Sequence, residues 1–421
     1  MANAFSKEEV VAFENVLEKF DDQLVLSRNV SKYATDSTTM ERTGDTIWRP
    51  EPYIAQSFDG TDATGNFTEA TQLAVPARLG YSKHSTAILS AKELRDLLQE
   101  GRLGEAAAQK LASDINVAVM NVAALQGTLV VKRTVAASGF DDVAACEAIM
   151  NEQGVQSGDR YLALSTRDYN GMASNLASRG TMQGKPVTAY EKAFVGQVAS
   201  FDTYKLDYAN RQAAAAGGGG LTINTLVAGA NFYTPRATTT AATGETENVD
   251  NRYQTVTVSA TTNVAAGDAF TIAGVNAVHH ITKGDTGQLK TFRVISVDSG
   301  TTMTISPPII SAQGGTDAEL QYQNVTVTGS ATAAIVFLNT VAAAVNPFWH
   351  KDAIELLPGR YAVPTDAGVQ VMRSSTEQGI EIVMQKFYDI NVMKTKYRWD
   401  IFFGVCMKQP EMAGIMQFSQ T

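Results

Sequence analysis

Near the start of the chain Val10, Phe13, Leu17, Phe20 and Leu24 recur at spacings of three and four, the period of one helical face. Glu14, Glu18, Asp21 and Asp22 run along the flank of that stripe. Ser6 with Glu9 has the spacing of a capping box and Phe5 with Val10 that of a hydrophobic staple, so the pattern predicts an acidic amphipathic helix opening at Ser6. A merely solvated face competes here with a sharper reading of the acids, a docking surface for a basic partner. From 45 to 80 the helical period vanishes: "DTIWRPEPYIAQSFDGTDATGNFTEATQLAVP" holds Pro50, Pro52 and Pro76 among several Gly and Thr. This predicts a long hairpin or extended loop with Asp59 and Gly60 near its tip. Such lengths of chain without structure of their own are uncommon inside compact domains, so the loop is expected to reach for something outside.

Helical grammar then returns. Ser90 with Glu93 makes a second capping box, Gly101 and Gly104 are expected to interrupt, and Ala107, Leu111, Ile115, Ala118, Val122 and Leu125 hold a stripe as far as Gly127. At 1.5 Å per residue this shaft is roughly 35 Å long. A helix over 141–153, a strand "RYLAL" at 160–164, a helix capped by Ser165, and "FVGQVASFDTYKLDYA" at 194–209, which joins a helix to a strand, predict an α+β body. "AAAAGGGG" at 213–220 reads as a flexible joint; a phosphate-binding loop would need a helix next, whereas "LTINTLVAG" reads as strand. Beyond the joint, strict alternation takes over. Val256 with Val258, Phe270 with Ile272, Met303 with Ile305 and Val325 with Val327 each share one strand face, with Thr and Ser opposite, and Asp298, Ser299 and Gly300 mark a turn. A β-domain over 223–345 follows, and it is an insertion, because the mixed body resumes at "NPFWHKDAIELLPG". Two long strands between 379 and 404 complete the body, with Ile380, Ile382 and Met384 on one face and Tyr397, Trp399, Ile401 and Phe403 on another. Burial of each such side chain contributes about 1.5–3 kcal/mol.

A length of 421 residues suggests two or three domains, and 44% hydrophobic with 18% charged residues is an ordinary globular composition. The charge changes the picture more: 34 Lys and Arg against 43 Asp and Glu leave −9, which argues against gripping nucleic acid through a basic surface. Cys146 and Cys406 sit far apart in apolar stretches and read as buried thiols in a reducing compartment, not as a disulfide. The N-terminus has neither the basic nor the apolar region of a secretory signal. The most apolar run, "ATAAIVFLNTVAAAV" at 331–345, is broken by Thr332, Asn339 and Thr340 and is shorter than the roughly 20 residues a bilayer requires. Synthesis in the cytoplasm is expected, so the sequons at Asn29, Asn66 and Asn324 carry no meaning.

Candidate chemistry is sparse. His279 and His280 are adjacent and, on a strand, would face opposite ways, so they cannot chelate one ion together. His350 could orient Asp352, yet neither a G-x-S-x-G elbow nor a paired Cys supplies a nucleophile. Asp141 and Asp142 fall at a helix start, where capping explains them, and Met372, Met384 and Met393 are expected in the core. H-E-x-x-H, C-x-x-C and Walker patterns are all missing from the sequence. The chain therefore reads as a non-enzyme, with no catalytic, cofactor-binding or metal-ligating residue nominated.

The order of parts is itself a signature. The acidic helix, the arm opening with "DTIW", the capped shaft, "VGQVASFD", "NVDNRYQTVTVSATT", "NPFWHKDAI" and the closing "WDIFFGVCMKQPEMAGI" resemble, in this order, the major coat proteins of tailed double-stranded-DNA phages. The likeness is to the short-tailed P22 type, which carries an inserted β-domain in the α+β Hong Kong 97 capsid fold. It implies an N-terminal arm (1–45), an extended loop (46–82), a spine helix with the peripheral domain (83–140), and the first part of an axial domain (141–222). The inserted domain (223–345) and the remainder of the axial and peripheral domains (346–421) complete the chain. By the same likeness the loop lies over a neighbouring subunit, nominating Trp48, Arg49, Tyr53, Phe58, Asp59, Phe67 and Arg78 as interface residues. Glu14, Glu18 and Asp21 are nominated to meet a basic segment of a scaffolding protein, and His279, Lys283 and Asp285, within an inserted-domain loop from Asn276 to Gln288, to face neighbouring capsomers. The implied assembly is an icosahedral virion shell of hexamers and pentamers, formed in the host cytoplasm with a scaffolding protein and a portal, enclosing DNA without sequence-specific binding. A non-viral nanocompartment shell of the same fold, a hydrolase with an accessory β-domain, and a secreted adhesin are the competing readings.

Overall fold

The computed structural model describes residues 7–33, 46–52, 54–64, 67–90, 97–178, 196–206, 208–217, 220–227, 229–327, 330–362, 369–376 and 378–421. The expected cap residues Phe5, Ser6 and Glu93, and the interface candidate Tyr53, lie outside the described residues. The chain divides into two compact units, one of 1–47, 77–121 and 354–406, the other of 48–76, 122–353 and 407–421.

In the first unit the acidic helix spans Lys7–Gln23 and buries Phe13, Val16 and Phe20, with Leu24 buried just beyond it. Val16 takes the inward place expected for Val10 and Leu17; Val10 is exposed and Leu17 half-buried. The unit's sheet runs in the order Ser31–Lys32, Ile354–Pro358, Lys394–Met407, Glu381–Asp389, Gln370–Ser375, with Tyr81–Ser90 also paired along Lys394–Met407. Ile380, Ile382, Met384, Tyr397, Trp399, Ile401 and Phe403 are all buried, as the alternation predicts. Tyr81–Ser90, between the extended loop and the shaft, is a full strand paired from Ser90↔Lys394 to Tyr81↔Phe403. Met393 departs from the core expectation: it is 59% exposed in the turn after Glu381–Asp389, and Met372 is only half-buried.

The spine helix is continuous from Leu97 to Gln126, 30 residues or about 45 Å, so neither Gly101 nor Gly104 interrupts it. Gly104 has a packing reason instead. A Cβ built on it would stand 2.7 Å from Cγ2 of Val16, so the missing side chain is what lets the N-terminal helix lie against the shaft. Ala107, Leu111, Ile115, Ala118 and Val122 face inward as predicted, whereas Leu125 is exposed.

The second unit holds two larger sheets. One runs Leu129–Lys132, Ala413–Gln417, Asn346–His350, Arg160–Ser165, Phe201–Leu206, Gln197–Val198, with the first pair and the 160–165/201–206 pair parallel. Helices Phe140–Glu152 and Thr166–Ser178 bury Val143, Cys146, Met150, Tyr169 and Met172 in one cluster with Leu162, Phe201, Phe348 and Met416. Both helix starts are capped as the residues predict: the Asp142 carboxylate accepts the amides of Ser138 (2.7 Å) and Gly139 (3.1 Å), and Ser165 Oγ accepts the Asp168 amide at 3.2 Å.

The other sheet runs Thr222–Leu226, Ser330–Phe337, Ala269–Val278, Asp285–Val297, Thr302–Ser306, Gln254–Thr257, with Val325–Thr326 added to Ala269–Val278. Val256, Val258, Phe270, Ile272, Met303, Ile305 and Val325 form its core with Phe292, and Val327 packs against it. Thr255 and Thr257 stay exposed and Thr302, Thr304 and Thr326 half-buried beside these core positions, whereas Thr271, Thr291 and Ser306 are buried. Cys146 and Cys406 are both buried thiols outside any disulfide. Among the described residues, no helix is long and apolar enough to cross a membrane.

Candidate assembly surfaces and the arm-root cavity

Among its described residues, the arm forms strand at its root. Thr46–Pro50 pairs with Ala74–Arg78, Arg78 Nε donates to Thr46 Oγ1 at 2.8 Å, and the Glu51 amide donates to the Leu73 carbonyl at 2.9 Å. Gln72 Nε2 closes this rung on the Glu51 carbonyl at 2.8 Å. The root is also held by the short helix Asp317–Tyr322: the Thr71 amide donates to Gln321 Oε1 (3.2 Å), and the Tyr322 hydroxyl to the Thr71 carbonyl (2.8 Å). Further out, 57–64 and 67–70 contain no strand and are solvent-exposed. Of the interface candidates, Trp48 and Arg49 are half-buried in the paired root, Arg78 and Asp59 are exposed, and Phe58 (51%) and Phe67 (88%) present large apolar surfaces to solvent.

Glu14 and Glu18 are exposed on the N-terminal helix, beside the Lys19–Glu105 ion pair (2.5 Å), while the Asp21 side chain lies outside the described residues. The bounds of the inserted-domain loop need correction. Asn276–Val278 and Asp285–Gln288 belong to paired strands, and only 279–284 connects them. His279 and His280 are therefore in a turn, not alternating along a strand. His279 Nδ1 accepts the amides of Ile281 (3.3 Å) and Thr282 (3.2 Å). Lys283, with φ at 55°, folds back so that Nζ donates to the carbonyls of Gln321 (2.7 Å) and Gln323 (3.2 Å). Burial lowers its ammonium to about 8, against the pull of Glu411. Asp285 stays exposed; the Gly287 amide and then the Asn276 amide group hold its carboxyl below the usual range.

Sequence reasoning missed a buried ionic cluster. Lys290, 1% exposed on strand Asp285–Val297, puts Nζ 2.5 Å from Glu411 Oε1 and 2.6 Å from Gln153 Oε1. His280 Nε2 lies 3.2 Å from Glu411 Oε2. Burial pushes the Glu411 carboxyl up, but Lys290 and then His280 outweigh it and hold the group far below the ordinary carboxylate range. Nearby, Arg252 gives Nε and Nη2 to Asp250 (2.8 and 2.6 Å) and Nη1 to the Met407 carbonyl at 2.8 Å. Thr291 Oγ1 reaches the Thr128 carbonyl at 2.8 Å and Arg293 Nη1 the Gly127 carbonyl at 3.5 Å. The available signal is a Lys and an Arg inside the charge-poor strand sequence "LKTFRVISV".

Gln153, Arg252, His280 and Glu411 line a cavity of about 340 Å³ whose wall also includes Glu51, Leu73 and Tyr322. Burial pushes the Glu51 carboxyl up to about 8; Arg252 opposes that, while Asp250 and Glu411 add to it. Elsewhere, His350 Nδ1 accepts the Asp352 amide at 3.2 Å, and burial lowers its imidazole despite the nearby Asp352 carboxylate. Among the described residues no cluster of His, Cys, Asp and Glu is arranged to hold a metal ion.

A family model described as P22 coat protein, gene protein 5, matches residues 1–419. Solved structures similar to this chain include that of Mycobacterium phage Che8, at 9% identity, covering 92% of this chain and 93% of that one, with a TM-score of 0.42. The capsid of cyanophage P-SCSP1u is similar at 12% identity over 93% of this chain and 90% of that one, TM-score 0.41. The I-domain of the CUS-3 coat protein is 42% identical over 30% of this chain and 99% of its own length, TM-score 0.23. With the P22 match spanning residues 1–419 and a mixed helix-and-sheet body observed throughout, the chain belongs to the P22 coat protein family and is a phage major capsid protein of the Hong Kong 97-like α+β fold.

Proposed function

We propose that this chain forms the hexamers and pentamers of an icosahedral phage shell, assembled around a scaffolding protein with one portal ring in the host cytoplasm, and that its arm completes itself on a neighbouring copy. The observation that carries this is the arm's division into a paired, largely half-buried root and an exposed reach, without strand among its described residues, that bears Phe58 and Phe67. Large aromatics standing in water on a segment without strand pairing gain most from burial against another surface. Residues 223–345 act as an intramolecular brace, supported by the Lys290, Thr291 and Arg293 contacts to the body. Glu14, Glu18 and Asp21 serve as the acidic face for a basic scaffolding segment. A net charge of −9 suits a wall that encloses double-stranded DNA without gripping it, and the chain's work is geometry, not catalysis.

The test is electron microscopy and sedimentation of the full chain with and without a basic scaffolding partner. Closed shells of uniform size are expected with the scaffold, and salt should weaken its binding. The double variant Phe58→Ser/Phe67→Ser should keep the wild-type thermal midpoint, because exposed sites usually shift stability by less than about 0.5 kcal/mol, yet yield few shells. Wild-type shell yield from that variant refutes the arm's role. Efficient closure around an enzyme cargo without any scaffold favours the nanocompartment reading instead.

A further inference from the structure

The foot of the arm contains a group that neither packing nor assembly explains. Glu51 sits where the two arm strands leave the body, its backbone forming the outermost rung through the Leu73 carbonyl and Gln72. Its side chain turns the other way, into the wall of the 340 Å³ cavity, where Oε1 is buried without a hydrogen-bond partner. A carboxyl is tolerated there in its neutral form and penalised when charged.

Every charged group around it is committed elsewhere. From the segment before strand Gln254–Thr257, Arg252 opposes the burial but spends Nε, Nη2 and Nη1 on Asp250 and the Met407 carbonyl. From the inserted sheet, Lys290 is taken by Glu411 and Gln153, and Lys283 by two backbone carbonyls. His280, from the turn, lies against Glu411. From the end of strand Asn346–His350, His350 accepts the amide of Asp352, itself an acid on the cavity wall. Two further carboxylates, Asp250 and Glu411, repel a charge on Glu51. Ionised Glu51 therefore has nowhere to go but outward to water.

We propose that the foot of the arm is a protonation-gated hinge: uncharged Glu51 keeps the foot seated, and ionised Glu51 leaves the cavity, opens the rung to Leu73 and frees the angle of the arm. Water held in the cavity is the competing account of the orphan oxygen, and it predicts no gating. The position of the carboxyl near 8 under burial places the transition just above neutrality. This rests on the arm being the moving part of assembly only for its consequence; the hinge itself is read on the free chain, so its failure and the failure of intersubunit pairing are separate results.

Hydrogen exchange on the full-length subunit tests it. After normalising for base catalysis, protection of the Glu51 amide and of peptides over 71–76 should fall at least about tenfold between about pH 6 and about pH 9, while peptides over 269–278 hold steady. Glu51→Gln, which copies the neutral acid, should abolish the fall and keep the foot protected throughout. Glu51→Met, of similar length, gives a second pH-independent variant should the amide disturb folding. A flat wild-type profile, or an unchanged fall in both variants, overturns the hinge.

Discussion

Lys290 and Glu411 are a buried ion pair 2.5 Å apart, and the energetics of such pairs are asymmetric. Replacing Lys290 with Met strands a buried carboxylate and should cost about 3–5 kcal/mol in urea unfolding, whereas the double variant Lys290→Met/Glu411→Met should recover much of it. Equal loss in the single and double variants would show that the charges are not coupled. The two cavity acids respond oppositely to pH. Glu411 is depressed in the fold, so its stabilisation is present above the ordinary carboxylate range and is lost as pH falls below it. Glu51 is raised from 4.5 to about 8, so its contribution is complete below about 4.5 and drains away as pH rises to about 8. Glu51→Gln should accordingly match wild type near about pH 4.5 and exceed it by a few kcal/mol, on the order of 2–4, at about pH 8.5. None of this was visible in sequence, where no pattern singled out Lys290 and Glu411 stood only within the closing motif.

At the scale of elements, pattern reading succeeded where one face meets solvent and failed where an element is buried on more than one side. Gly104 shows why: a glycine inside a helical stripe looks like a break, but here the helix runs through it because Val16 occupies the space a Cβ would need. Gly104→Ala should cost about 1–2 kcal/mol, the overpacking cost of roughly 1–3 kcal/mol being partly offset by better helix propensity. Val16→Ala/Gly104→Ala should restore part of that loss, and a Gly104→Ala chain more stable than wild type would exclude the close approach. Tyr81–Ser90 was hidden for a different reason. Its exposed Lys83, His84 and Thr86 mask the strand period, and the partner that makes it a strand is the distant Lys394–Met407.

For the whole molecule, the inserted sheet and the body share polar contacts as well as chain. Removing residues 223–345 would withdraw the donors that reach Glu411, Gly127, Thr128 and Met407, leaving buried acceptors unpaired at about 1–3 kcal/mol each. The truncated chain should give little soluble protein or aberrant particles by electron microscopy; normal shells in wild-type yield would remove the brace from the account. The arm's exposed reach belongs to this scale too, because the partner proposed for it is a second molecule.

Local repetition was what the sequence could determine alone. Periods of two and of three to four residues encode which face is buried, and they placed the core strands from Val256 to Val327, the capped starts at Asp142 and Ser165, and the inward stripe of the shaft. The order of those parts carried the capsid likeness. Only the tertiary structure decided that Lys283 turns back onto Gln321 and Gln323, that Met393 lies in an exposed turn, and that Glu51, His280 and Glu411 come together around one cavity. The reason is physical: periodicity reports a residue's own side of its element, whereas the identity of the group it meets depends on register and topology between segments far apart in the chain.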